Sequence, residues 1–179
     1  MKNAGKIYSA VFLVSVLWSM NLASAVQKPM LEKAADFTGK SLSGKNIKLS
    51  EQRGRVVILN FWATWCAPCK KELPYFNQLY AKYKNVGLEI LGVNIDKNSD
   101  VAKEMSRDLS ISFPVLLDPE GRILDLYKIR SMPTTYVIGK DGLVHYVHWG
   151  FGPDEPARYE EEIRALLKRN LPFNRRNDQ

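Results

Sequence analysis

The stretch Cys66-Ala67-Pro68-Cys69 constrains this chain more than any other. It follows the continuous apolar run Val56 to Phe61, the pattern of a strand buried on both faces. After it, Leu73, Phe76, Leu79, Tyr80 and Tyr83 recur at helical spacing. A second apolar run, Leu88 to Ile95, completes a β-α-β unit, so the cysteines fall at its strand-to-helix junction. C-x-x-C in that setting is a redox signature, because so short a ring opens and closes without large backbone movement. At a helix N-terminus, unpaired N–H groups and the helix dipole favour a thiolate at Cys66, the form that attacks a disulfide. Cys69 lies one turn in, faces the body of the protein and takes the part of the resolving thiol. An inert stabilising bridge is the weaker reading, since closing so short a loop restrains the unfolded chain little. There are two cysteines in all, too few for a disulfide scaffold or a four-thiolate zinc site.

The rest of the chain fits around that unit. Asp36 to Leu49, with Gly39 and Gly44, reads as a small hairpin, and Ser50 as the cap of a short helical turn ending at Gly54. Pro74 is expected to kink the first helix rather than end it. Ser99 or Asp100 starts a helix reaching Leu109, Phe113 to Leu117 is a short strand, and Ile123 to Tyr127 forms one or two helical turns. Thr134 to Ile138 and Leu143 to Trp149 flank Lys140-Asp141-Gly142, a hairpin with Asp-Gly turn chemistry. A final helix over about Pro156 to Lys168 carries Tyr159, Ile163, Leu166 and Leu167 on one face, with Glu160 and Arg164 as an i,i+4 pair. The order is β-α-β, an intervening segment, then β-β-α. This predicts an α/β fold: one central mixed sheet in a three-layer α/β/α sandwich, with an N-terminal β-hairpin and an insertion between the two halves.

At the N-terminus, Lys2 and Lys6 precede an apolar run from Ile7 to Trp18 and the small-residue site Ala23-Ser24-Ala25. A basic region, a short apolar region and an A-x-A site form a secretory signal, read here as residues 1–25. An uncleaved anchor through residues 7–23 is the alternative. Residues 26–179 then form a single domain with a short polar tail. Either way the dithiol works outside the cytoplasm, in the periplasm or its equivalent, free or tied to the inner membrane. The formal charge is +7, falling to +5 without the first 25 residues. Charge of that size, spread along the chain, gives solubility and mild steering, not a nucleic-acid footprint.

Trp65-Cys66-Ala67-Pro68-Cys69 resembles the thioredoxin motif, which has Gly in place of Ala67. The wider text is similar to the extracytoplasmic thioredoxin-like proteins of the TlpA, ResA and CcmG type. The similarity runs from about Lys33 to Lys168, through Asp36-Phe37, Leu59 to Pro74, Gly87 to Asp96, Phe113 to Gly121 and Met132-Pro133-Thr134-Thr135. It implies a thioredoxin fold and a thiol-disulfide oxidoreductase whose redox group is the Cys66–Cys69 disulfide, with no other cofactor and no metal. It also implies that Pro133 is the family's cis-proline, with Trp65, Ala67, Pro68, Met132, Pro133 and Thr134 lining the substrate groove and Trp65 shielding the disulfide. Glu72 lies where ResA-like proteins carry an acid that tunes the thiols, and could act as base for Cys69; a solvated helix Glu is the plain alternative. Asn60 replaces the buried Asp of thioredoxin itself, so another base would be needed.

The resemblance further implies reduction of disulfide-containing target proteins, as in cytochrome c maturation, with recharging by a membrane thiol reductase of the CcdA or DsbD type. Dithiol oxidation of secreted proteins is the near alternative. A copper chaperone is the more distant one, since its cysteines are usually one residue wider apart and joined by a His. His145 and His148 form H-x-x-H, but residues three apart on a strand face opposite sides, and both read as ordinary strand residues.

Overall fold

A computed structural model describes residues 31–169. The expected signal or anchor, and the end of the polar tail, lie outside the described residues. Among the described residues, no helix is long and apolar enough to cross a membrane.

Eight strands form one mixed sheet: β1 (Glu32–Lys33), β2 (Thr38–Ser41), β3 (Asn46–Lys48), β4 (Val56–Trp62), β5 (Leu88–Asn94), β6 (Val115–Leu117), β7 (Thr134–Ile138) and β8 (Leu143–Trp149). Their order is β1-β8-β7-β4-β5-β6-β2-β3. The β4–β5 and β5–β6 pairs are parallel, and the others are antiparallel. Among the described residues, three α-helices connect strands, α1 (Ala67–Tyr83), α2 (Ser99–Asp108) and α3 (Arg122–Leu126), and α4 (Glu155–Lys168) follows β8. This is the predicted mixed α/β architecture, with the hairpin β2–β3 placed against β6 inside the inserted region.

Every residue of β4 is buried, and its alternation divides the core. Val56, Ile58 and Trp62 face α1, α2 and α4, where they join Leu73, Phe76, Ala102, Tyr159 and Ile163. Val57, Leu59 and Phe61 face the other way, towards Phe37, Leu49, Ile123 and Tyr127. That second layer is the thin one, built from the five-residue α3 and the N-terminal segment. Full burial of a Leu, Ile or Phe is worth roughly 1.5–3 kcal/mol, so a strand buried on both faces anchors both layers at once. On β5, a Cβ at Gly92 would stand 3.0 Å from Phe113 and 3.1 Å from Trp62 Nε1, so glycine is what lets both rings close over the strand.

Three local expectations are corrected. Ser50 does not cap the turn at Leu49–Gln52; it sits within it, and its N–H donates instead to Asp36 Oδ1 at 2.8 Å. A carboxylate 14 residues upstream thus does the work assigned to the local hydroxyl. Glu160 does not hydrogen-bond to Arg164. Lys82 and the Tyr83 hydroxyl, both on α1, take its carboxylate, and Arg164 acts only as a more distant charge. Lastly, the β7–β8 register shifts between Val137 and Ile138, where His145 has no registered partner. Period-two counting therefore fails across it, and His145 and His148 are both buried.

Candidate active site

β4 ends at Trp62, and three residues later the chain turns into α1. Asp96, just beyond β5, secures that turn: its carboxylate accepts from Thr64 N at 2.9 Å and from Thr64 Oγ1 at 3.0 Å. Asn94 Nδ2 in turn donates to Asp96 at 2.7 Å. Cys66 is the N-cap of α1, and its sulfur accepts from Cys69 N at 3.3 Å. Pro68 stands in the first turn, where a missing N–H costs nothing. Cys66 and Cys69 are joined as a disulfide with Cα atoms 5.3 Å apart. Cys66 is 5% exposed and Cys69 not at all. Ala67 is exposed and Pro68 half-buried. Trp65 is 67% exposed, so it stands beside the disulfide open to solvent, whereas Trp62 is core.

The segment before β7 reaches the same end of the sheet, because Thr134 is registered to Phe61, one residue from the end of β4. The Met132–Pro133 peptide is cis, as the resemblance implied. Pro133 is buried, and its carbonyl accepts from Gly150 N at 2.8 Å. Met132 is half-buried against the cluster that contains both cysteines. Thr134 is buried, and its hydroxyl donates to Ser131 O at 2.7 Å, closing the loop around the proline.

Glu72 is no solvated helix residue: it is 0% exposed, one turn after Cys69 on α1. Asn60 Nδ2 donates to its Oε2 at 2.8 Å, and the Thr135 and Tyr159 hydroxyls donate to its Oε1 at 3.2 and 2.8 Å. Burial pushes the carboxyl up to about 7, against the opposing pull of these hydrogen bonds, Tyr159 foremost, and of charge at His148. A carboxylate with that balance exchanges protons at neutral pH, as a general base must.

Sequence reasoning placed Tyr159 on the apolar stripe of α4 and gave Thr135 and Asp96 no role. The signal for Tyr159 was available: a tyrosine on an otherwise aliphatic buried stripe brings a hydroxyl that must find a partner. His145 and His148 are paired rather than ordinary. His145 Nε2 lies 3.1 Å from Asp141 Oδ2, and His148 contacts Glu155 at 2.6 Å through Nδ1 and Glu162 at 2.7 Å through Nε2. Among the described residues, no group of three or more His, Cys, Asp or Glu could hold a metal ion.

Residues 30–147 match the AhpC/TSA family. The chain is similar to the thiol-disulfide oxidoreductase ResA of Bacillus thuringiensis subsp. konkukian, at 42% identity over 141 residues, covering 79% of this chain and 78% of that one. It is 39% identical over 132 residues to ResA of Geobacillus kaustophilus, covering 73% and 76%. Among solved structures it resembles a putative thiol:disulfide interchange protein DsbE of Chlorobium tepidum, with a TM-score of 0.73 and 38% identity over 78% of this chain and 97% of that one.

Proposed function

The chain belongs to the AhpC/TSA family, and we propose that within it this protein is a thiol-disulfide oxidoreductase that reduces target disulfides outside the cytoplasm. The observation that carries this reading is the Cys66–Cys69 disulfide at the start of α1, with a buried carboxyl one turn behind it. In the reduced protein the Cys66 thiolate attacks one sulfur of a target disulfide. The target S–S bond breaks, one target sulfur leaves as thiolate, and a mixed disulfide forms. Glu72 takes the proton from the Cys69 thiol, and the Cys69 thiolate then attacks Cys66 Sγ. The mixed disulfide breaks and the second target sulfur departs. Two electrons have passed to the target, whose two sulfurs leave as thiolates and take up protons from Glu72 and from water, and the disulfide seen here is the spent form. The pair of sulfurs holds both electrons, so the reaction needs no other cofactor.

Trp65, Ala67, Pro68, Met132, Pro133 and Thr134 would border the groove that receives the target chain. The relatives are named for thiol-disulfide exchange, and the resemblance to the TlpA, ResA and CcmG type favours a target among secreted thiol proteins, such as an apocytochrome c. A membrane thiol reductase of the CcdA or DsbD type would return electrons to the pair. The Lys2, Lys6 and Ile7–Trp18 pattern supports export or anchoring on the far side of the membrane.

Two experiments test this. Cys69→Ala should freeze the mixed disulfide, so that non-reducing capture and mass spectrometry identify the target; absence of any Cys66-linked species would refute the exchange cycle. Glu72→Gln should slow release of the mixed disulfide about a hundredfold or more near neutral pH, within the usual range for losing a general base. Unchanged stopped-flow rates would remove Glu72 from the mechanism.

A further inference from the structure

A polar row crosses three strands of the otherwise apolar face beneath α1 and α4. Asn60 of β4 is registered to Thr135 of β7, and Thr135 to His148 of β8. All three are 2% exposed or less. Glu72 meets the row from α1 and Tyr159 meets it from α4, both without exposure. Buried polar groups are costly unless each finds a partner, and the partners here join α4 to the acid behind the disulfide.

The outer end of the row is His148, clamped by Glu155 on one ring nitrogen and Glu162 on the other. With a carboxylate at each ring nitrogen, the plane of the imidazole is fixed. The Tyr159 ring lies against this imidazole with centroids 4.4 Å apart, and meets Phe76 edge-on at 5.2 Å on α1. Gripped by both, the ring aims its hydroxyl at Glu72 Oε1.

The sheet donors to Glu72 differ from Tyr159 in kind. Asn60 keeps an acceptor in reserve, since its Oδ1 is buried without a partner among the described residues. By turning its amide it can serve a protonated Glu72 as well as an ionised one. A pinned phenol discriminates between the two states, because its bond to a carboxylate is charge-assisted and its bond to a carboxylic acid is not.

We propose that Tyr159 is a positioning residue for Glu72, held by the clamped His148 so that its hydroxyl orients the carboxylate and stabilises its ionised form, with α4 thereby setting the pH range in which Cys69 resolves the mixed disulfide. This rests on Glu72 acting as the base for Cys69. The groups facing Glu72 are Cys69 on its own helix, Asn60 and Thr135 from the sheet and Tyr159 from α4, with His148, Glu155 and Glu162 behind the last. Tyr159 is also the foremost of the contributions that oppose the effect of burial on Glu72.

The test is the pH profile of mixed-disulfide resolution in the full chain carrying Tyr159→Phe, which keeps the ring and removes the hydroxyl. Loss of one hydrogen bond to a charged group should move the Glu72-linked midpoint up by about one pH unit or more. The rate at pH 7 should then fall about fivefold and recover above pH 9. In a Glu72→Gln background, Tyr159→Phe should add nothing. Replacing Tyr159 site-specifically with 3,5-difluorotyrosine, which keeps the ring and strengthens the donor, should move the midpoint down. It also covers the case in which Tyr159→Phe does not fold. If Glu72→Gln abolishes the pH dependence while both Tyr159 changes leave the midpoint in place, the inference is overturned and Glu72 stands. If Glu72→Gln leaves the profile unaltered, the reading of Glu72 falls and this inference falls with it.

Discussion

Glu72 ties the chemistry of the site to the stability of the fold. Its carboxyl titrates near 4.5 in an ordinary setting and at about 7 in the folded protein, chiefly because burial disfavours the charge. Between those values the folded chain holds a proton that the unfolded chain has released, so stability falls as pH rises. The contribution is complete below about pH 4.5 and gone above about pH 7, and integrates to roughly 3 kcal/mol. Glu72→Gln keeps an acceptor for Tyr159 but does not titrate. Urea denaturation of the disulfide form from pH 4.5 to 8 should therefore show the native protein losing stability relative to Glu72→Gln as pH rises. Parallel curves would mean that the carboxyl stays ionised throughout, and the proton-exchange role would lose its basis. At this scale the sequence was legible where chemistry is local. Cys66, Cys69 and the spacing to Glu72 could be read directly, because three residues on a helix make one turn. The partners of Glu72 could not, because Asn60, Thr135 and Tyr159 lie 12, 63 and 87 residues away and meet it only after the sheet has formed.

At the scale of elements, strands and hairpins were the most legible. β7 and β8 begin and end where the alternation and the Asp-Gly turn placed them, and Gly142 takes φ +77°, the backbone that this turn demands. Errors arose where a side chain reached across elements, as when Asp36 replaced Ser50 and Lys82 displaced Arg164. Asn77 of α1 shows how much such a reach can carry. Its Nδ2 donates to Leu109 O at 3.1 Å and Ser110 O at 2.8 Å, and its Oδ1 accepts from Ser112 N at 2.9 Å and Ser112 Oγ at 3.1 Å. One side chain therefore fixes the loop between α2 and β6, where Ser110 adopts φ +51°. Asn77→Ala should cost about 1–3 kcal/mol, since four polar contacts are lost and part of the loop must find water instead. Hydrogen exchange should accelerate most at Ser112, whose amide loses its acceptor. Uniform acceleration along the chain, with no excess at that loop, would show that the contact is not a local staple.

For the whole molecule, the direction of electron flow is a difference between two stabilities. A dithiol is a strong oxidant when its reduced form is the more stable, and a reductant when the disulfide form is. Two features pull in opposite directions here. Cys66 at the N-terminus of α1 gains from the helix dipole, which stabilises a thiolate and favours oxidising power. Glu72 is buried one turn after Cys69 on α1, and a carboxylate there opposes a second negative charge. Exposed Lys70 and Lys71 contribute little, because water screens them. The reductase role proposed above requires the buried acid to outweigh the dipole in its own low-dielectric surroundings, so that the thiolate is not strongly stabilised. The expected result is that the disulfide form resists urea better than the dithiol form at pH 7, by about 2 kcal/mol, the low end of what a disulfide contributes. Glu72→Gln, by removing the opposing charge, should narrow that gap and shift the potential in the oxidising direction. If the dithiol form proved the more stable of the two, the protein would be an oxidase of secreted thiols, and the helix dipole, not the buried carboxyl, would govern the site.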